Sequence, residues 1–160
     1  MSADSTSVFT MAATPAPVVL LAEDREDDIF LLRKALAQTD APYILSVVRD
    51  GEQAIAYLSG QAPYEDRFKN PLPSLLLLDL KMPRKDGFEV LQWIREQPDF
   101  FALRVVVLTS SQESPDINRA YELGANSFLV KPAEFQNYLK LSEFINGFWL
   151  QFNKTLVRSD

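Results

Sequence analysis

Five short apolar runs, separated by stretches of helical pattern, restrict the fold of this chain more than any other feature. The runs are VVLLA (18–22), ILSVV (44–48), LLLL (75–78), VVVL (105–108) and SFLV (127–130). Between the first two, Ile29, Leu32 and Leu36 recur at helical spacing and predict a helix over 27–38. Further helices are expected over 52–58, 88–97 and 115–123, with a last one starting near 134. Strands alternating with helices make βα units, which assemble into a parallel sheet covered by helices. The unbroken leucines of 75–78 suit a central strand buried on both faces. Asp40, Ala41 and Pro42 break the first helix, and Gly124 closes the fourth. The connection over 59–73, with Gly60, Pro63, Pro71 and Pro73, is long; it reads either as a tolerated surface insertion or as a segment carrying partner contacts.

A length of 160 residues suits one domain with a proper core. Residues 1–17 are small and polar, fail the signal-peptide pattern, and read as a disordered tail. No apolar run approaches the roughly 18 residues a membrane-spanning helix needs, so no membrane association and a cytoplasmic location are expected. The chain has no cysteine and no histidine. Disulfides, thiolate or imidazole metal sites and His-dependent triads are thereby excluded. The remaining chemistry belongs to carboxylates, hydroxyls and lysine. A net charge of −6 argues against nucleic acid as a partner, since that binding depends on neutralising phosphates with Lys and Arg. Protein partners are expected instead.

Open parallel sheets bind ligands at the carboxyl ends of their strands. Five chemically capable residues fall there: Glu23 and Asp24 after the first strand, Asp79 after the third, Thr109 after the fourth and Lys131 after the fifth. Each has an ordinary explanation alone, as a turn or cap carboxylate, a strand-filling threonine or a solvated lysine. Their coincidence at one sheet edge is the signal. Three carboxylates forced together repel unless a cation shares the site. An all-oxygen ligand set selects a hard ion, and few protein ligands completed by water and phosphate oxygens suit Mg2+. Asp79 can then attack a phosphoryl group, with Mg2+ and Lys131 neutralising its oxygens and Thr109 donating a hydrogen bond.

With these residues in view, the chain resembles the receiver domain of bacterial response regulators from Val18 to about Phe144. LLLLDLKMPRKDGFEVLQWIR is similar to the family's phosphorylation-site signature, LLAEDREDD to its acidic pair, VVVLTSS to its switch-threonine strand and GANSFLVKP to its lysine strand. The resemblance implies a flavodoxin-like fold, a doubly wound five-stranded parallel sheet in the order 2-1-3-4-5. It implies that Asp79 is the phosphoacceptor, that Asp24 and Asp79 bind Mg2+ directly, that Glu23 contributes through water, and that Lys81 offers its backbone carbonyl. It further implies a cis Lys131–Pro132 bond and a sensor histidine kinase as partner. Phe128 occupies the family's switch-aromatic position; its alternative is a fixed core residue. Glu23 stands where the family often has Asp, and Lys81 is bulkier than common occupants.

Only 29 residues follow Lys131, so no fused output domain is expected. The receiver is expected to span 18–146, with 147–160 extending the last helix into a C-terminal tail. Phe148, Trp149 and Phe152 lie beyond a typical receiver's last helix, and projecting aromatic clusters mark interfaces. A homodimer contact is expected there, although the whole stripe could instead pack on the sheet. This extension, with the Pro-rich 59–73 loop, resembles small regulators serving phytochrome-type histidine kinases. Two other classes fit the residues less well. A phosphohydrolase or phosphotransferase with an aspartyl-phosphate intermediate would carry a second acid two residues after the nucleophile, where Lys81 stands. An interaction module independent of phosphorylation would have lost an acid or the lysine, and here all remain.

Overall fold

The computed structural model describes residues 16–39 and 43–152, the last two by backbone alone. The tail expected over 1–17 lies outside these, apart from Ala16 and Pro17, and so do residues 153–160 of the expected extension. Five strands, β1 (Val18–Ala22), β2 (Ile44–Val48), β3 (Leu75–Leu78), β4 (Arg104–Thr109) and β5 (Ser127–Val130), form one parallel sheet in the order β2-β1-β3-β4-β5. The helices are α1 (Glu26–Ala37), α2 (Gly51–Ser59), α3 (Gly87–Glu96), α4 (Ser114–Glu122) and α5 (Phe135–Phe144). The expected flavodoxin-like order is therefore the observed one. Beyond α5 the chain continues in wider π-helical turns over Ile145–Phe152.

Alternation along the central strands builds two cores from one sheet. Leu20, Ala22, Leu76, Leu78, Val105 and Val107 face α2, α3 and α4, where they meet Tyr57, Leu91 and Ile94. Val19, Leu21, Leu75, Leu77, Val106 and Leu108 face α1 and α5, where they meet Ile29, Leu32 and Tyr138. Successive side chains of a strand point to opposite faces, so a strand covered on both must be apolar throughout. That is why β1 and β3 carry no polar residue.

Local chemistry fixes where the helices start. The Asp50 carboxylate accepts from the Gln53 N–H at 2.8 Å and caps α2. Asp86 and Glu89 form a reciprocal capping box at the start of α3. The long 59–73 connection is tied to its own surroundings: the Arg67 guanidinium donates to the carbonyls of Tyr57, Leu58 and Asn70, satisfying the end of α2. The cavity beside it, about 720 Å³ and lined by Leu58, Leu72, Trp93, Phe100 and Leu103, opens at the amino ends of the strands. The chemically capable residues gather at the opposite end. Among the described residues no helix is long and apolar enough to cross a membrane.

Candidate functional site

Strand register brings the site together. Ala22 pairs with Leu78, so Glu23 and Asp79 leave β1 and β3 at the same height, and the Asp79 N–H donates to the Ala22 carbonyl at 3.0 Å. Thr109 pairs with Val130, and the Lys131 N–H donates to the Thr109 carbonyl at 2.8 Å. Between β1 and β3 the order of connection reverses, which opens a crevice at their carboxyl ends. Glu23, Asp24 and Asp79 each present an oxygen there, all within 4.8 Å of one another. Glu23 and Asp79 are buried, while Asp24 is exposed to solvent.

One ammonium holds the acids. Lys131 Nζ lies 2.5 Å from Glu23 Oε2, 2.9 Å from Asp28 Oδ2 and 3.0 Å from Asp79 Oδ2. Burial alone would lower its pKa, but hydrogen bonds to Glu23 and Asp28 and the Asp79 charge hold it well above the ordinary lysine value. Lys131 therefore stays charged. Glu23 is moved the other way from a usual acid: burial, reinforced by the Asp79 charge, raises its pKa to about 7 against the pull of Lys131 and the Arg25 N–H.

The loop after Asp79 is held from several sides. The Lys81 N–H donates to Asp79 Oδ1 at 3.3 Å, while the Lys81 side chain is exposed. Arg84 adopts a left-handed backbone with φ 66° and pairs with buried Asp50, tying the loop to α2. Gly87 passes so close that a Cβ there would lie 2.3 Å from the Asp79 carbonyl oxygen, so only glycine lets α3 begin at this point.

Thr109 is fully buried, with Oγ1 3.5 Å from the Ser111 N–H. Phe128 is half-buried against the core beneath α4, and its N–H donates to the Tyr121 hydroxyl oxygen at 3.1 Å. Three placements differ from expectation or add to it. The Lys131–Pro132 bond is trans, the form X–Pro bonds ordinarily favour, and Ala62–Pro63 is the cis bond among the described residues. Trp149 turns back against the core beneath α1 and α5 rather than projecting. Phe148 is exposed and stacks on Phe144 at 5.6 Å, whereas the side chain of Phe152 lies outside the described residues. Asp28 was absent from the expected site; in sequence it reads as one of three acids in the first turn of a helix, where they favour the dipole.

The donor set fits a hard divalent cation. It is all oxygen, rich in negative charge, and has one carboxylate open to solvent as an entry. The family model for the response regulator receiver domain matches residues 19–142. The chain belongs to the response regulator receiver family. As a receiver it is 39% identical over 139 residues to response regulator Rcp1 of Synechocystis sp. (strain ATCC 27184 / PCC 6803 / Kazusa), covering 87% of this chain and 92% of that protein. The crystal structure of the Mn(2+)-bound form of response regulator Rcp1 superposes with a TM-score of 0.80 at 38% identity, covering 88% of this chain and 99% of that one. That of the phosphorylated cyanobacterial phytochrome response regulator RcpA superposes at 0.83 and 35% identity, covering 89% and 100%. This receiver is a signalling protein of a two-component system rather than a classical enzyme, and accepting a phosphoryl group on an aspartate from a kinase is the function of its family.

The raised Glu23 pKa has a signed consequence for stability. Between the ordinary value of 4.5 and about 7 the folded protein binds more protons at Glu23 than the unfolded chain, so this group's contribution falls as pH rises through that interval. In chelator, the thermal midpoint of the parent relative to Glu23→Gln is expected to drop between pH 5 and pH 8. A constant difference across that range would show that Glu23 titrates normally.

Proposed function

We propose that Asp79 is the residue phosphorylated, in a Mg2+-dependent transfer from a sensor histidine kinase, and that the phosphoryl group shifts a two-state equilibrium read by protein partners. The supporting observation is the Lys131 ammonium 3.0 Å from Asp79 Oδ2, beside two further carboxylates whose oxygens lie within 4.8 Å. An Asp79 oxygen attacks phosphorus, the bond from phosphorus to the kinase's imidazole nitrogen breaks, and the imidazole leaves with the electron pair. Glu23, Asp24, Asp79 and the Lys81 carbonyl would hold Mg2+, which supplies charge neutralisation to the phosphoryl oxygens. Lys131 donates to one phosphoryl oxygen and Thr109 to another. Catalysis by the protein is confined to its own phosphorylation and dephosphorylation.

Movement of Thr109 toward the phosphoryl group opens space beside β5, and Phe128, half-buried next to it, fills that space. The partner kinase is of the phytochrome type, a reading supported by likeness to RcpA, whose crystal structure is described as that of a cyanobacterial phytochrome response regulator. The location is cytoplasmic, where such a kinase presents its phosphohistidine. The protein pairs with itself through Phe144 and Phe148, whose stacked rings are exposed on one side of the C-terminal helix.

Incubation with a small phosphodonor and Mg2+ is expected to add the mass of one phosphoryl group, and Asp79→Asn or chelator to abolish the gain. A gain that survives Asp79→Asn would place the acceptor elsewhere. Sedimentation of the parent is expected to report a dimer, and Phe148→Glu to convert it to monomer, because a charge would be desolvated at the contact. A parent that sediments as a monomer at all concentrations would remove the dimer.

A further inference from the structure

An ammonium has three protons, and in this site each has its own carboxylate: Glu23, Asp28 and Asp79. Two of these acids belong to the cluster suited to a cation, whereas Asp28 does not. Both Glu23 oxygens already have a partner, Oε1 accepting from the Arg25 N–H at 3.0 Å and Oε2 bound to Lys131. A metal served by Glu23 shares that carboxylate with a positive ammonium, and the like charges favour a looser Lys131 hold. The Lys131 side chain is only 6% exposed, so an ammonium stripped of carboxylates there would be a poorly solvated charge.

We infer that Asp28 is a positioning residue that acts through Lys131, giving the ammonium a carboxylate outside the metal's own set so that Glu23 and Asp79 can turn to the cation. Two features keep Asp28 suited to this. It lies in the first turn of α1, where the helix dipole favours a negative charge, and the Arg25 guanidinium is 3.7 Å from the same oxygen that Lys131 uses. Its side chain is 20% exposed, against 3% for Glu23 and 5% for Asp79, so it is the one of the three carboxylates on Lys131 that solvent reaches most. Without the Asp28 carboxylate, Lys131 is left with the two acids of the cation cluster, and ammonium and metal compete for them.

The inference rests on the metal-dependent reading of the preceding subsection, and its test separates the two. Mg2+ affinity is measured by calorimetry for the parent, Asp28→Asn, Lys131→Met and the double variant. With Lys131 present, Asp28→Asn is expected to weaken Mg2+ binding by about fivefold or more. In the Lys131→Met background the same change is expected to alter it by no more than about twofold. An equal loss in both backgrounds would mean that Asp28 acts on the metal by its own charge, and no loss in either would mean that it does not act at all. Either result overturns the inference while leaving the metal site intact. A parent protein that binds no Mg2+ overturns the metal reading itself and the inference with it.

Discussion

A single buried ammonium, Lys131, lies among three carboxylates contributed by β1, α1 and β3, and the arrangement of the whole carboxyl edge of the sheet depends on it. Without a cation, Glu23, Asp28 and Asp79 would repel at short range in a poorly solvated crevice. The lysine satisfies them from the end of β5, where its N–H is bonded to the Thr109 carbonyl. Its side chain is itself nearly inaccessible, so the pairing is mutual: neither the acids nor the ammonium could be buried alone. A site that gathers several acids at one edge of the sheet is kept together in this way.

The apolar sheet makes this pairing geometrically possible. Parallel strands of nearly pure Val and Leu end in register, and the first polar residue after each arrives at one edge. The loop after Asp79 is then fixed by contacts of a different kind: the Arg84 pair to buried Asp50, the close passage of Gly87, and the capping box that starts α3. Backbone sterics thus aim the Asp79 carboxylate, while electrostatics set its partners. The same division applies to Glu23, whose place is set by β1 and whose high proton affinity is set by burial.

The centre of the sheet could be read from sequence because β1, β3 and β4 are buried on both faces and carry no competing helical period; Leu75–Leu78 is the plainest case. Helix limits fell within about a residue of expectation where a cap marks them, as at Asp50 and Asp86. Asp28 escaped because its role is long-range: it meets Lys131 across 103 residues, while locally it looks like any acid that favours a helix start. Trp149 was expected outside because an aromatic stripe gives no indication of which flank packs. The π-helical turns after Phe144 are part of why simple helical spacing misplaces it, since they rotate the side chains relative to an α-helix. The left-handed Arg84 carries no signal either, as arginine rarely adopts that backbone without a tertiary partner.

The most direct measurement is a crystal structure of the protein soaked in Mn2+, with the anomalous signal locating the ion. The expected result is one strong peak at the carboxyl edge of the sheet, in direct coordination by oxygens of Asp24 and Asp79, with Lys131 still bound to Asp28 and withdrawn from Glu23. A peak elsewhere on the molecule, or an unchanged Lys131 with all three carboxylates still on its ammonium and no ion beside them, would contradict the site as described.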